Sequence, residues 1–158
     1  MEDDLEDVPN AGKAFAKARK KDLETILKAD QYREAVQAYL ASITYADAQL
    51  GRVLEALEES SQADNTVVVL WSDHGWHLGE KGHWHKTTLW EEATRVPFII
   101  SAPGYEPARC SRPVSLVDLF PTLNELCGLR LDDAHDGESL VPLLENPEAF
   151  LDRVGVMI

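Results

Sequence analysis

The sequence predicts an α/β fold that is only part of a sheet: one long amphipathic helix and two or three apolar strands. Three observations carry this. Apolar residues recur at three and four across residues 30–59, which is helical spacing. Thr66 to Trp71 is an apolar, β-branched run without alternation, as in a parallel strand covered on both faces. Val96 to Ser101 is a second such run. A doubly wound domain has about five strands or more, so this sheet lacks partners.

Taken in order, Met1 to about Asn10 is acidic and reads as irregular, with Pro9 and Gly12 as breakers. Lys13, Lys17, Arg19, Lys20, Lys21 and Lys28 follow, a cluster whose spacing suits a solvated helical face. Asp30 is the expected N-cap of the long helix. Its stripe is Tyr32, Val36, Tyr39, Leu40, Ile43, Ala46, Leu50, Val53, Leu54 and Leu57, and it predicts packing along the whole length. Gly51 beside the stripe suggests a close neighbour, and Asp47 a structural salt bridge.

Ala63 to Asn65 makes a turn into the first strand, and Pro97 confines the second strand to an edge or an early position. Ser115 to Asp118 reads as a capping box for a helix ending at Gly128, with Pro121 kinking or restarting it. Leu140 to Leu144 is a short apolar anchor in an acidic tail, and Val154 to Ile158 looks like the start of a strand. The expected organisation is therefore a lead-in over 1–29, the long helix over 30–59, two core strands and a loop over 66–101, and a helix with an acidic tail over 102–158.

Composition excludes several classes. With 15 Lys and Arg against 28 Asp and Glu, the net charge is −13, which argues against a nucleic-acid partner. No apolar run is long enough to cross a bilayer. Residues 1–7 hold five acids and no apolar stretch, so they are not a secretory signal. Cys110 and Cys127 are too few for a disulfide scaffold and are either free or paired. An anionic substrate would need a local cation to reverse the field.

The chemistry concentrates in the loop after the first strand, Ser72 to Lys86, which holds His74, His77, His83 and His85 and the glycines Gly75, Gly79 and Gly82. The glycines let the backbone fold closely around a ligand. Asp73 and His74 offer a hard oxygen and an imidazole nitrogen at a strand end, a candidate metal pair; the plainer reading is a turn cap beside a packed ring. Ca²⁺ needs roughly six to eight ligands, so the local site is incomplete. A competing zinc reading uses His74, His77, His83 and His85, but without the helix that usually aligns such a set. Lys86 beside a divalent ion can bind a tetrahedral anion; alone it is a surface lysine.

The run Leu70 to Glu80, followed by Gly82-His83-Trp84-His85-Lys86, closely resembles the type I sulfatases, in particular the iduronate-2-sulfatase-like branch. The resemblance extends in order through Tyr39 to Ile43, Gly51 to Leu54, Glu91 to Phe98, Ala102-Pro103-Gly104, Val114 to Leu123 and Asp136 to Leu140. It implies a partial alkaline-phosphatase-like sheet-and-helix sandwich, the later part of a sulfatase catalytic domain. Asp73 and His74 match the family's metal pair, where the cation is usually Ca²⁺, and Lys86 matches its sulfate-contacting lysine. Trp76 and His85 are candidates for substrate contact, as is Trp84, although aromatic packing explains them as well.

The family's nucleophile is a formylglycine made in a Cys/Ser-x-Pro-x-Arg motif. Cys110-Ser111-Arg112-Pro113-Val114 has Arg and Val where Pro and Arg are required, so Cys110 is not that nucleophile. No catalytic residue is therefore assigned. The expectation is a sulfuric-ester hydrolase fragment, inactive alone, that acts on a sulfated small molecule or glycan when an N-terminal part completes it. Two alternatives remain open: a phosphatase or phosphonate hydrolase of the same fold, and a non-catalytic interaction module. The family implies a periplasmic, extracellular or lysosomal setting for the full-length protein.

Overall fold

The computed structural model describes residues 4–18, 21–130 and 135–150 and divides into two units. The first comprises Met1–Ser60 and His74–Val96, the second Ser61–Asp73 and Pro97–Ile158. The expected strand at Val154 to Ile158 lies outside the described residues, as does part of the acidic tail.

In the first unit, α1 (Asn10–Ala18) starts directly after Pro9, whose carbonyl accepts the Lys13 N–H at 3.0 Å. Pro9 thus opens a helix, since a proline's missing N–H costs nothing there. Gly12 is no breaker either. It lies within α1, where a Cβ would stand 2.6 Å from Cγ1 of the buried Val8. Helix α2 (Lys21–Lys28) places Asp22 and Glu24 in its first turn and Lys28 in its last, matching the helix dipole at both ends.

Asp30 is not the N-cap of the long helix. Its φ of 55° puts it in the left-handed region, and the Gln31 N–H donates back to the Ile26 carbonyl at 3.1 Å. That geometry closes α2 in a Schellman-type turn. Gln31 then caps α3 (Tyr32–Glu58) without a side-chain bond. The 27 residues of α3 extend about 40 Å.

The stripe on α3 is only partly used. Tyr32 meets the Trp84 ring edge-on at 6.0 Å, and Tyr39 stacks on Trp76 at 5.7 Å. Further along, Leu40, Ile43 and Val53 are exposed, and no residue of α3 is fully buried. Among the described residues nothing lies within 4 Å of a Cβ placed on Gly51. Among the described residues the predicted full-length packing is therefore not made, nor is the close neighbour at Gly51: an apolar stripe records a need for burial, not its supplier.

In the second unit, β1 (Val68–Trp71) pairs with β4 (Phe98–Ser101) from Val68↔Ser101 to Trp71↔Phe98. The pairing is antiparallel, against the parallel expectation, because an unalternating apolar run carries no information on strand direction. Leu70, Trp71 and Ile99 remain exposed, so the run is not covered on both faces here. Pro97 stands just before β4, where no ladder bond is lost.

The capping box at Ser115 and Asp118 is present around a 3₁₀ turn, Leu116–Asp118, which leads into α5 (Leu119–Leu126). Pro121 sits in the first turn of α5, where an N–H has no intrahelical partner, so it neither kinks nor interrupts the helix. Gly128, at φ 63°, ends it as expected, and Leu129 N–H donates to the Asn124 carbonyl.

Asp118 is fully buried and accepts from Ser115 N–H at 2.9 Å and Glu138 N–H at 3.1 Å. Thr122, also fully buried, donates to the Asp118 carbonyl and accepts from Leu140 N–H. This knot fastens the segment around Gly137 to the start of α5. It also seats α6 (Val141–Glu145), with Leu140, Val141 and Leu143 buried as the predicted anchor. Cys110 and Cys127 are both free and exposed.

Candidate functional site

The loop that leaves β1 is shaped by its own backbone contacts. Gly75 N–H donates to the Ala93 carbonyl at 2.7 Å, and Trp76 N–H to the Glu92 carbonyl at 3.1 Å. A Cβ on Gly75 would stand 1.9 Å from the Glu92 oxygen. This approach to α4 (Glu91–Thr94) by itself requires glycine at position 75.

A short hairpin follows, β2 (His77–Leu78) with β3 (Trp84–His85), in antiparallel register His77↔His85 and Leu78↔Trp84. Its turn contains Lys81 at φ 53°. The Lys81 ammonium donates to the Asp4 carbonyl at 2.7 Å and pairs with the Asp4 and Asp7 carboxylates at 3.2 and 3.6 Å. Its backbone N–H also donates to the Asp4 carboxylate. These bonds hold the Lys81 ammonium's pKa above its usual value and the Asp4 carboxyl's below its own. The acidic N-terminal segment is therefore a brace for this turn, a role no local motif announces.

Of the candidate metal pair, Asp73 lies two residues beyond β1 and His74 follows it directly. His74 Nδ1 donates to the Gly75 carbonyl at 2.8 Å, which leaves a lone pair on Nε2. That nitrogen accepts from Thr87 N–H at 3.3 Å. A metal-ligating histidine takes the same form, one ring N–H held by a backbone carbonyl while the other nitrogen faces the metal. Asp73, its neighbour in sequence, carries hard carboxylate oxygens, the donor type that Ca²⁺ takes.

The other histidines are occupied differently. His77 is fully buried; its Nδ1 donates to the Glu80 carbonyl at 3.2 Å and its Nε2 accepts from the Thr88 hydroxyl at 2.7 Å. Burial pushes its pKa down and keeps the ring neutral. His83, also buried, donates from Nε2 to the Lys86 carbonyl at 2.8 Å, and its Nδ1 has no partner among the described residues. His85 contacts that same carbonyl at 3.1 Å through Nδ1 and the Asp22 carboxylate at 2.7 Å through Nε2. Among the described residues no three His, Cys, Asp or Glu side chains group as a metal holder, so the four-histidine zinc set is not assembled.

Trp76 is stacked on Tyr39 with its ring edge to His85, and Trp84 packs on Tyr32. Both indoles therefore serve the packing of the loop against α3. Lys86 stands between two residues with left-handed backbone, His85 at φ 66° and Thr87 at φ 85°. Two such non-glycine residues flanking one position are costly and persist only where surrounding contacts impose them.

The sulfatase family model matches residues 6–129. The chain belongs to the sulfatase family. It is 38% identical over 156 residues to a sulfatase of Formosa agariphila, covering 98% of this chain and 31% of that protein. It is likewise 38% identical over 128 residues to iduronate 2-sulfatase of Homo sapiens, covering 65% of this chain and 23% of that one. A protein solved in complex with its substrate D-glucosamine-2-N,6-O-disulfate superposes with a TM-score of 0.66 at 35% identity, over 77% of this chain and 25% of that chain. A 2-O GAG sulfatase superposes with a TM-score of 0.65 at 31% identity, over 72% and 26%. The chain thus spans under a third of the length of the relatives it matches, and its fold is a partial alkaline-phosphatase-like domain.

Sequence reasoning marked Asp73, His74 and Lys86 but missed Asp22 and Thr87. Neither carries a local signal: Asp22 is 63 residues from His85, and Thr87 acts through its backbone N–H. No helix among the described residues is long and apolar enough to cross a membrane.

Proposed function

We propose that this chain supplies the later portion of a sulfuric-ester hydrolase centre, with Asp73 and His74 as ligands of a Ca²⁺ ion and Lys86 as a contact for the sulfate group of a sulfated sugar or small molecule. The observation that supports this most directly is His74, whose Nδ1–H bond to Gly75 puts the lone pair on Nε2, where a Ca²⁺ ion would take the place of the Thr87 N–H. A bound Ca²⁺ would neutralise negative charge on sulfate oxygens. The Asp73 carboxylate would supply a hard oxygen, and the Lys86 ammonium would hold one sulfate oxygen as a point charge. Together these offset a chain whose net charge of −13 otherwise repels an anion.

The chain contains no Cys/Ser-x-Pro-x-Arg sequence, so the nucleophile of such a reaction would have to come from other residues of a larger protein. The 158-residue chain is expected to shift the His74 ring resonances on Ca²⁺ addition, to lose that response in Asp73→Ala, and to leave 4-nitrophenyl sulfate unhydrolysed. Turnover of that ester by the pure chain, abolished by Lys86→Ala, would overturn the assignment of the nucleophile to other residues. A His74 spectrum indifferent to Ca²⁺ would overturn the metal assignment.

A further inference from the structure

The backbone around Lys86 is strained on both sides, and the contacts that impose this strain converge on one atom. The Lys86 carbonyl faces two imidazole nitrogens, His83 Nε2 at 2.8 Å and His85 Nδ1 at 3.1 Å. On its far side, the His85 ring meets the Asp22 carboxylate of α2 at 2.7 Å. A carbonyl and a carboxylate are both acceptors, so His85 donates to both only as the doubly protonated ring. The other groups facing it are the His83 ring at 5.3 Å and the Trp76 ring at 6.0 Å.

We propose that Asp22 and His85 are positioning residues for Lys86: the His85 imidazolium, bridging the Asp22 carboxylate and the Lys86 carbonyl, holds the strained backbone in the conformation from which the Lys86 ammonium meets a sulfate group. The proposal rests on the sulfate-binding role argued above for Lys86. It explains why His85, at φ 66°, adopts a conformation that costs free energy. It also explains why an exposed aspartate 63 residues away is drawn into the loop. An exposed ion pair adds little to global stability. Its use here is geometric.

The test is a titration of inorganic sulfate into the Ca²⁺-supplemented 158-residue chain, read from the backbone amide resonances of Lys86 and Thr87. The wild-type chain is expected to respond and Lys86→Ala to lose the response. Asp22→Asn and His85→Gln are expected to weaken sulfate binding about fivefold to tenfold each, the double variant being no weaker than either single one, because the two residues act as a unit. Asp22→Glu should restore binding in part. A two-bond proton–nitrogen correlation should show both His85 ring nitrogens protonated in the wild type and one of them deprotonated in Asp22→Asn; a purely structural ion pair would give that change while leaving sulfate affinity at the wild-type value.

Wild-type affinity in Asp22→Asn and His85→Gln, with Lys86→Ala still inactive, overturns the proposal and leaves the role of Lys86 standing. A wild-type response that Lys86→Ala does not alter removes that role and the proposal with it. Should His85→Gln fail to fold, the Asp22→Asn and Asp22→Glu pair decides alone, since Asp22 is solvent-exposed.

Discussion

Adding one methyl group at two glycines should change stability in opposite directions. At Gly75 a Cβ would lie 1.9 Å from the Glu92 carbonyl oxygen and 2.9 Å from its carbon, both backbone atoms that cannot rotate away. The segments must separate, which strains or breaks the Gly75–Ala93 and Trp76–Glu92 hydrogen bonds. Overpacking costs about 1–3 kcal/mol and each hydrogen bond contributes about 1 kcal/mol, so Gly75→Ala should lose about 3–4 kcal/mol. Gly51 lies mid-helix with nothing within 4 Å among the described residues, so Gly51→Ala should gain about 0.5–1 kcal/mol from helix propensity alone. Urea unfolding followed by far-UV circular dichroism measures both. With a slope of about 2 kcal/mol/M, the Gly75→Ala midpoint should fall by about 1.5–2 M. A Gly75→Ala chain within about 0.5 kcal/mol of the wild type would refute the account of why glycine follows Asp73-His74, since that account rests on the Glu92 contact alone.

Two further outcomes follow from buried polar groups. Asp118→Ala should cost about 3 kcal/mol in the same urea assay, because the Ser115 and Glu138 N–H groups lose the carboxylate that accepts from them, and Asp118→Asn should cost less by keeping one oxygen. For His77, burial lowers the folded pKa below 6.5 while the unfolded ring titrates near that value. Stability should therefore be level above about pH 6.5 and fall as the pH drops toward the folded pKa; the slope should flatten in His77→Gln, as urea midpoints measured across that range will show.

The elements that were legible in the sequence are those whose cause is local. The spacing from Tyr32 to Leu57 marks α3, the Ser115–Asp118 pair marks the start of α5, and Gly128 marks its end, because side-chain period, capping and left-handed backbone are each read within a few residues. Asp30 misled for the same reason. It is as good a cap residue by type as any, and only the Gln31–Ile26 bond shows that it ends one helix instead of starting the next. The direction of β4 against β1 and the fate of the α3 stripe were not legible, since both depend on where distant segments lie.

By itself, the sequence determined the family, the places of the long helix and of both strands, and the loop in which the chemistry sits, since these follow from residue types at fixed spacing. The tertiary structure decided which atoms of that loop meet. It turned His74 so that Nδ1 meets the Gly75 carbonyl and Nε2 the Thr87 N–H, buried His77 and His83, and pressed Gly75 onto Glu92. It also drew Asp22 to His85 and gave the Lys86 carbonyl two imidazole partners. The Asp22–His85 and Gly75–Glu92 contacts join residues far apart in the chain, and geometry over such separations is set by packing rather than by sequence pattern.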